Sequence, residues 1–360
     1  MKFLIDVGHP AHVHYFRNTA FALINKGHNV IFSARHKEVT TNLLDYYGFQ
    51  YLIIGKQKKG KIRKIIELLL STFRLLIVCI REKPDVYLNA SPSSAFISWL
   101  LRKRHISLED TFNMEQVRLY LPFTDIILTG DYPHKSLGKK EVQYPGYQEL
   151  AYLHPNVYTP NPSVLRKLGL EKGEKYAVLR FVAWNASHDS GHKGMSPECK
   201  LQLVSRLKGK LKVFITSEAP LPQSLVPFQL HIDPYEMHDV LAFAHLFIGE
   251  SATMASECAC LGVPAIYIHD NDIRYTEEQE KKYGLVFNFS EEESKQEALI
   301  SKALELAEQN STEEFKNRRD RMLTDKIDVS AFYLWFFINY PDSEKASRNH
   351  MDWNSFRSHA

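Results

Sequence analysis

Short runs of apolar and β-branched residues alternate with longer stretches of helical spacing through the first third of the chain. The runs at 3–7, 30–33, 51–54, 86–89 and 126–129 predict buried strands, and the stretches between them predict helices. Strand, helix, strand in that order implies βαβ units around a parallel sheet. The pattern then pauses. Between 146 and 175 the chain carries Pro155, Pro160 and Pro162 among asparagines, as expected of a connection between domains. A second alternation follows, with strands predicted at 177–181, 212–215, 246–248 and 265–268 and helices at 198–207, 237–244 and 254–261. The expected fold class is α/β, with two doubly wound Rossmann-like domains. Their expected bounds are 1–150 for the first domain, 151–172 for a linker and 173–325 for the second. An aromatic-rich helix at 326–340 and a polar, loose tail at 341–360 complete this division.

Composition narrows the class without naming a partner. A length of 360 residues favours two hydrophobic cores over one. Hydrophobic residues at 44% and charged residues at 24% exclude a disordered or fibrous chain. A formal net charge of +3 is too small to imply nucleic acid. Cys79, Cys199, Cys258 and Cys260 form no CxxC pair, so a reducing compartment and no structural zinc are expected. The start MKFLIDVGHP lacks the charged region and cleavage site of a signal peptide, which makes the cytoplasm the expected location.

Three stretches carry candidate chemistry. In LFIGESATMASECACLGVPAIYI an apolar strand meets a turn of small residues, and a helix opens at once. Around that turn Glu250, Ser251, Ala252, Thr253 and Met254 are candidate substrate contacts, because backbone amides at the positive end of a helix dipole suit a diphosphate. Glu257, one and a half turns on, is placed to reach a ribose diol. The alternative is an ordinary capped helix with a solvated glutamate. The loop GHPAHVH puts His9, His12 and His14 after the first strand, at the sheet edge where doubly wound folds bind ligands. One of them is a candidate general base, with Glu109 and Asp110 at the end of a neighbouring strand as the next candidates. Spacing in this loop matches no zinc pattern, and no metal site is expected. RFVAWNASHDSGHKG offers Arg180, His188 and Asp189 as contacts to phosphate or sugar. Finally, 56–81 is a basic start followed by an apolar helical run interrupted by Glu67 and Arg74. It is too polar to span a membrane, and reads either as a core helix or as one able to lie on an anionic surface.

The turn at Ser251 resembles the donor-binding segment of GT-B glycosyltransferases and of non-hydrolysing UDP-N-acetylglucosamine 2-epimerases. Ser251, Ala252, Thr253 and Glu257 fall on the positions that hold diphosphate and ribose there, although the epimerases carry glycines where this chain has Ala252 and Thr253. Upstream, KPDVYLNASPSSAF, ISLED and MEQVRLYLPFTDIILTGD follow the order of the epimerase N-terminal domain, with Glu109, Glu115, Arg118 and Asp125 in matching places. Where the epimerases have a catalytic aspartate, this chain reads Asn89, Ala90, Ser91, which argues against epimerase chemistry. As a whole the sequence looks like a bacterial and archaeal domain-of-unknown-function family, number 354, through IDVGHPAHVHYF, YPGYQELAYLHP, RFVAWNASHD and GESATMASE.

The resemblance implies a GT-B-like pair of domains facing across a cleft. It also implies a metal-independent glycosyltransferase in surface glycan or glycolipid assembly. The expected donor is a nucleoside-diphosphate sugar, with UDP-sugars among the candidates. No cofactor is expected beyond that substrate, and the expected acceptor is a glycan or a lipid-linked molecule, with peripheral membrane contact through 56–81. A nucleotide-sugar epimerase or hydrolase, and a non-catalytic sugar-nucleotide-binding protein, are the alternatives.

Overall fold

The structure is a computed structural model that describes residues 1–56, 60–171, 173–182, 194–269, 274–349 and 351–357. The chain divides into two compact units, Met1–Val157 with Lys326–Ala360 and Tyr158–Asp325. The 183–193 segment, which contains His188 and Asp189, lies outside the described residues.

The first unit alternates strand and helix: β1 (Lys2–Val7), α1 (Pro10–Asn25), β2 (Asn29–His36), α2 (Glu38–Tyr46), β3 (Tyr51–Lys56), α3 (Lys61–Glu82), β4 (Val86–Leu88), α4 (Pro92–Leu100), β5 (Arg104–Glu109), α5 (Met114–Tyr120), β6 (Ile126–Gly130) and β7 (Glu141–Tyr144). All strand pairs are parallel, in the order β3-β2-β1-β4-β5-β6-β7. The chain builds outward from β1 to β3, crosses back, and resumes at β4. Strand order therefore reverses between β1 and β4, and loops leaving their carboxyl ends diverge to open a crevice. Central strands are covered on both faces, which is why β1 reads as an unbroken apolar run with Phe3, Leu4 and Ile5 fully buried.

A short helix, α6 (Leu150–Leu153), belongs to this unit rather than to a free connection. Arg17 donates to the Tyr152 carbonyl at 3.0 Å and Asn18 to the Ala151 carbonyl at 3.0 Å, so the segment is strapped to α1.

The second unit runs α7 (Ser163–Lys167), β8 (Tyr176–Phe181), α8 (Pro197–Leu207), β9 (Lys212–Ser217), α9 (Met237–Ala242), β10 (Leu246–Gly249), α10 (Ala252–Leu261), β11 (Ala265–Ile268), α11 (Arg274–Lys281), β12 (Val286–Phe289), α12 (Gln296–Glu308) and α13 (Thr312–Asp325). Its parallel sheet has the order β12-β11-β10-β8-β9, with the reversal between β8 and β10. Both units are thus doubly wound α/β. Two strands, β7 and β12, escape the sequence pattern because each is a short edge strand with one partner. Glu141, Gln143 and Asn288 interrupt their apolar character.

The chain then returns to the first unit through α14 (Val329–Asn339) and α15 (Asp342–Arg348). The segment after Pro341, expected to be loose, is instead ordered into α15 and a 3₁₀ turn at Trp353–Phe356. Its anchor is aromatic: Phe356 is buried with its ring 5.8 Å from Phe332 and 5.7 Å from Trp335, so one apolar side chain fixes an otherwise polar tail.

Candidate functional site

At the switch point of the first sheet, side chains of β1 and β2, of the start of α1 and of the segment after β4 form one hydrogen-bonded cluster. Asp6, near the end of β1, is buried. It accepts from Ser33 Oγ at 2.7 Å on one oxygen and from Ser91 Oγ on the other. Asn89 follows β4 with a φ of +98°, a region that asparagine tolerates better than most residues. Its amide oxygen accepts from the Ala90 N–H at 2.9 Å, and its nitrogen donates to the Asp6 carbonyl at 2.7 Å. The remaining amide hydrogen points at Nδ1 of His12, 2.7 Å away, which also accepts from the Gly8 N–H at 3.2 Å. Nδ1 must therefore be bare, and the neutral ring carries its proton on Nε2. Burial, with His9 beside it, lowers the His12 pKa to about 3.

The three histidines take different places. His9 caps α1, its Nδ1 accepting from the Ala11 N–H at 3.2 Å. His12 faces the cluster. His14 is buried, stacked on Tyr152 at 5.6 Å and edge-on to Tyr47 at 6.3 Å, a packing position.

The two carboxylates after β5 also separate by environment. Glu109 is fully engaged: Oε1 accepts from Thr111 N and Oγ1, both at 3.1 Å, and from Phe112 N at 2.8 Å, while Oε2 accepts from the Tyr120 hydroxyl at 2.5 Å. It holds the turn. Asp110 has one side-chain donor shown, the Tyr15 hydroxyl at 3.2 Å, and the Tyr15 ring lies 5.9 Å from that of His12. Burial, and then the neighbouring Glu109 charge, raise the Asp110 pKa from 3.8 to about 7. A carboxyl that ionises near neutrality can take up and return a proton, and Tyr15 lies between it and the His12 ring.

Of the other residues singled out upstream, Glu115 and Arg118 are exposed on α5. Asp125 precedes β6 at the amino edge of the sheet and binds the His105 N–H at 2.8 Å, away from the cluster.

In the second unit the turn after β10 lies at the β8/β10 reversal. Ser251 caps α10, its Oγ accepting from the Met254 N–H at 3.3 Å. That leaves the Ala252 and Thr253 amides, which the helix itself cannot satisfy, at the positive end of the dipole. Ser251, Ala252, Thr253 and Met254 are half-buried, so the helix start is open to a ligand. Arg180, on β8, donates to Thr216 Oγ1 at 2.9 Å and to Glu218 at 2.6 Å. Gly249 is its register partner, and a Cβ there would sit 2.8 Å from the Arg180 Cβ, so only glycine permits this approach.

Two glutamates near this turn are held internally. Glu250 accepts from Val182 N and Met195 N, both at 2.7 Å, and pairs with Lys200 at 3.1 Å. Glu257, nearly buried, accepts from His238 Nε2 at 3.1 Å. Nothing in the sequence pattern pointed to His238, whose partner lies on another helix. Asp6 did leave one, a charge inside an apolar strand.

A family model described as "Protein of unknown function (DUF354)" matches residues 1–313. The chain belongs to that family. No curated protein matches it in sequence. Among solved structures, the chain is similar to the S. aureus MnaA–UDP co-structure (12% identity, 98% of each chain covered, TM-score 0.68). It is also similar to Methanocaldococcus jannaschii UDP-GlcNAc 2-epimerase in complex with UDP-GlcNAc and UDP (15% identity, covering 86% of this chain and 94% of that one, TM-score 0.59). A third likeness is to the glycosyltransferase VinC in complex with dTDP (12% identity, 97% and 100% covered, TM-score 0.61). These likenesses give the family member a GT-B fold.

Proposed function

We propose that the protein is a glycosyltransferase that takes a sugar from a nucleoside-diphosphate donor, without a metal ion. The observation that carries this is the open start of α10 at the switch point of the second sheet, where amides, dipole and small side chains together suit a diphosphate. The nucleoside diphosphates bound in the neighbouring structures support the same ligand class. Glu257, oriented by His238, is assigned to the ribose diol.

In this reading Asp110 removes the proton from the acceptor hydroxyl as its oxygen bonds to the anomeric carbon. The bond from that carbon to the diphosphate breaks, and the departing charge is met by the α10 amides and Arg180. His12 donates from Nε2 and orients the acceptor. The acceptor itself is assigned only by class, a glycan or a lipid-linked molecule.

An epimerase reading has one observation in its favour, the likeness to the UDP-bound MnaA structure. Incubation with UDP-GlcNAc in heavy water separates the two. Inversion at C2 with solvent deuterium incorporated there would displace the transferase reading. Stabilisation by nucleoside-diphosphate sugars, with transfer to an added acceptor and no inversion, is the expected outcome.

A further inference from the structure

Helix α3 carries apolar side chains on two opposite sides, with Glu67, Arg74 and Arg81 between them, and only one of those sides is covered by protein. Leu75 and Cys79 point inward and pack with Leu4, Ile54, Tyr87 and Ile97. On the opposite side Leu69 is 66% exposed, Phe73 60%, Ile77 52% and Ile80 57%, at a spacing of three or four residues that keeps them on one face. A solvated helix would carry charge there.

The face continues beyond α3. Helices α3, α4 and α5 follow the chain's crossing from β3 to β4, and right-handed crossovers place them together on one side of the sheet. Contacts between neighbouring helices, including Thr72 to Ser93 at 2.6 Å, agree. On α4, Ser98 and Ile97 are buried inward, whereas Phe96 and Trp99 stand half-exposed outward and cluster with Phe123 at 5.4 Å. Leu119 on α5 is 57% exposed.

Charge at one end of this apolar area is predominantly basic, even with Arg81 paired to Glu82 and Lys103 to Asp85. Each helix runs antiparallel to the strands, so the ends of α3 and α4 meet at the amino edge of the sheet. Arg81, Lys83, Arg102 and Lys103 are all exposed there. A groove of about 650 Å³ runs at the same edge, with Trp99 and Phe123 on its apolar side and Arg102 and Lys103 on its basic side. Among the described residues no helix is long and apolar enough to cross a membrane, so the arrangement suits a surface rather than a span.

We propose that the outer faces of α3, α4 and α5 dock on an anionic lipid bilayer, with the apolar row entering the acyl boundary and the basic edge meeting the headgroups. Tryptophan at such a depth and arginine or lysine beside it are the residue types that this boundary favours. The docking stands on the first unit alone and does not depend on the donor site.

Sedimentation of the full chain with phosphatidylcholine vesicles, with and without phosphatidylglycerol, tests it. The wild type should bind the anionic vesicles and be partly released by salt. The L69E/F73E/I77E variant should lose at least about tenfold in partition, the direction set by removing apolar contact. R102S/K103S, which leaves the core untouched, should weaken binding to anionic vesicles and leave the small binding to neutral ones unchanged. In brominated lipid, fluorescence quenching should fall sharply in Trp99→Phe. The proposal is overturned if the wild type fails to sediment with anionic vesicles. It is equally overturned if R102S/K103S and Trp99→Phe behave as wild type, or if the protein is a dimer that the glutamates dissociate without any vesicle binding.

Discussion

The side-chain amide of Asn89 lies 2.7 Å from Nδ1 of His12 and fixes which nitrogen of that ring holds the proton. Asn89 cannot turn round, because its oxygen is held by Ala90 N and its other hydrogen by the Asp6 carbonyl. Nitrogen-resolved NMR should therefore find the Nε2-protonated form of His12, without titration, between about pH 5 and 8. Asn89→Ala should loosen the tautomer preference, while the His12 pKa stays low because burial, and then His9, depress it and the Gly8 N–H still donates to Nδ1. A His12 that titrates near its ordinary value in the wild type would refute the assignment. The sign for stability follows. With the folded pKa below the unfolded one, the neutral His12 costs stability as pH falls below 6.5, and the loss grows until about 3.

Asp110 gives the opposite pH dependence for a carboxyl. Its folded pKa of about 7 exceeds the ordinary 3.8, so its stabilising contribution is complete below 3.8 and is lost as pH rises to about 7. Asp110→Asn should thus raise the melting temperature at pH 8 relative to wild type by more than it does at pH 4. Turnover, in the proposed role, should rise through about pH 7 and drop roughly 10²- to 10⁴-fold in the variant, with donor affinity near normal. Equal melting shifts at both pH values would remove the perturbed carboxyl, and full activity would remove the base.

Glu250 is expected to matter to the fold before it matters to a ligand. Glu250→Ala leaves the Val182 and Met195 amides and Lys200 without their shared acceptor. The loss should be about 3 kcal/mol, read as a clearly lower thermal midpoint without ligand. A midpoint within error of wild type would mean that the carboxylate is available to substrate after all.

In the proposed reading the α10 amides and Arg180 meet the leaving-group charge that a cation would otherwise meet, so turnover should persist in excess EDTA. Complete loss that added metal restores would overturn this assignment.

Much of the fold was legible because buried parallel strands announce themselves as apolar runs, as 3–7 and 246–248 do. Of the edge strands, β3 and β9 were legible at 51–54 and 212–215, but β7 and β12 were not, since Glu141 and Asn288 interrupt their apolar character where only one neighbour must be satisfied. Nor was the strap at Leu150–Leu153, whose hold depends on Arg17 and Asn18 far away in sequence. In the candidate site the histidine loop and the Ser251 turn were legible from position alone. What separated His12 from His14, or Asp110 from Glu109, was not. Each pair is alike in residue type and neighbourhood, and differs only in the partners that tertiary packing brings: Asn89 against Tyr152, and Tyr15 against the Thr111 and Phe112 amides.

The assignment of a diphosphate to the start of α10 can be tested at one atom. Ala252 is the first helical residue, and its N–H has no acceptor within the helix. Proline is favoured at that position because its ring fits the helical φ and the missing hydrogen is not needed by the helix. Ser251 before it has φ −111° and ψ 110°, the extended conformation that a following proline requires. Ala252→Pro should therefore leave circular dichroism and the thermal midpoint almost unchanged, yet delete one donor to the phosphate. A charge-assisted hydrogen bond of that kind is worth about 1.5–3 kcal/mol, so titration calorimetry with UDP should show an affinity lower by roughly ten- to a hundredfold. Glu257→Ala should weaken UDP too, through the ribose, but should leave the affinity for inorganic pyrophosphate unchanged, whereas Ala252→Pro should weaken both. If Ala252→Pro binds UDP as tightly as wild type, the helix start does not hold the diphosphate, and the transferase reading loses the observation on which it stands.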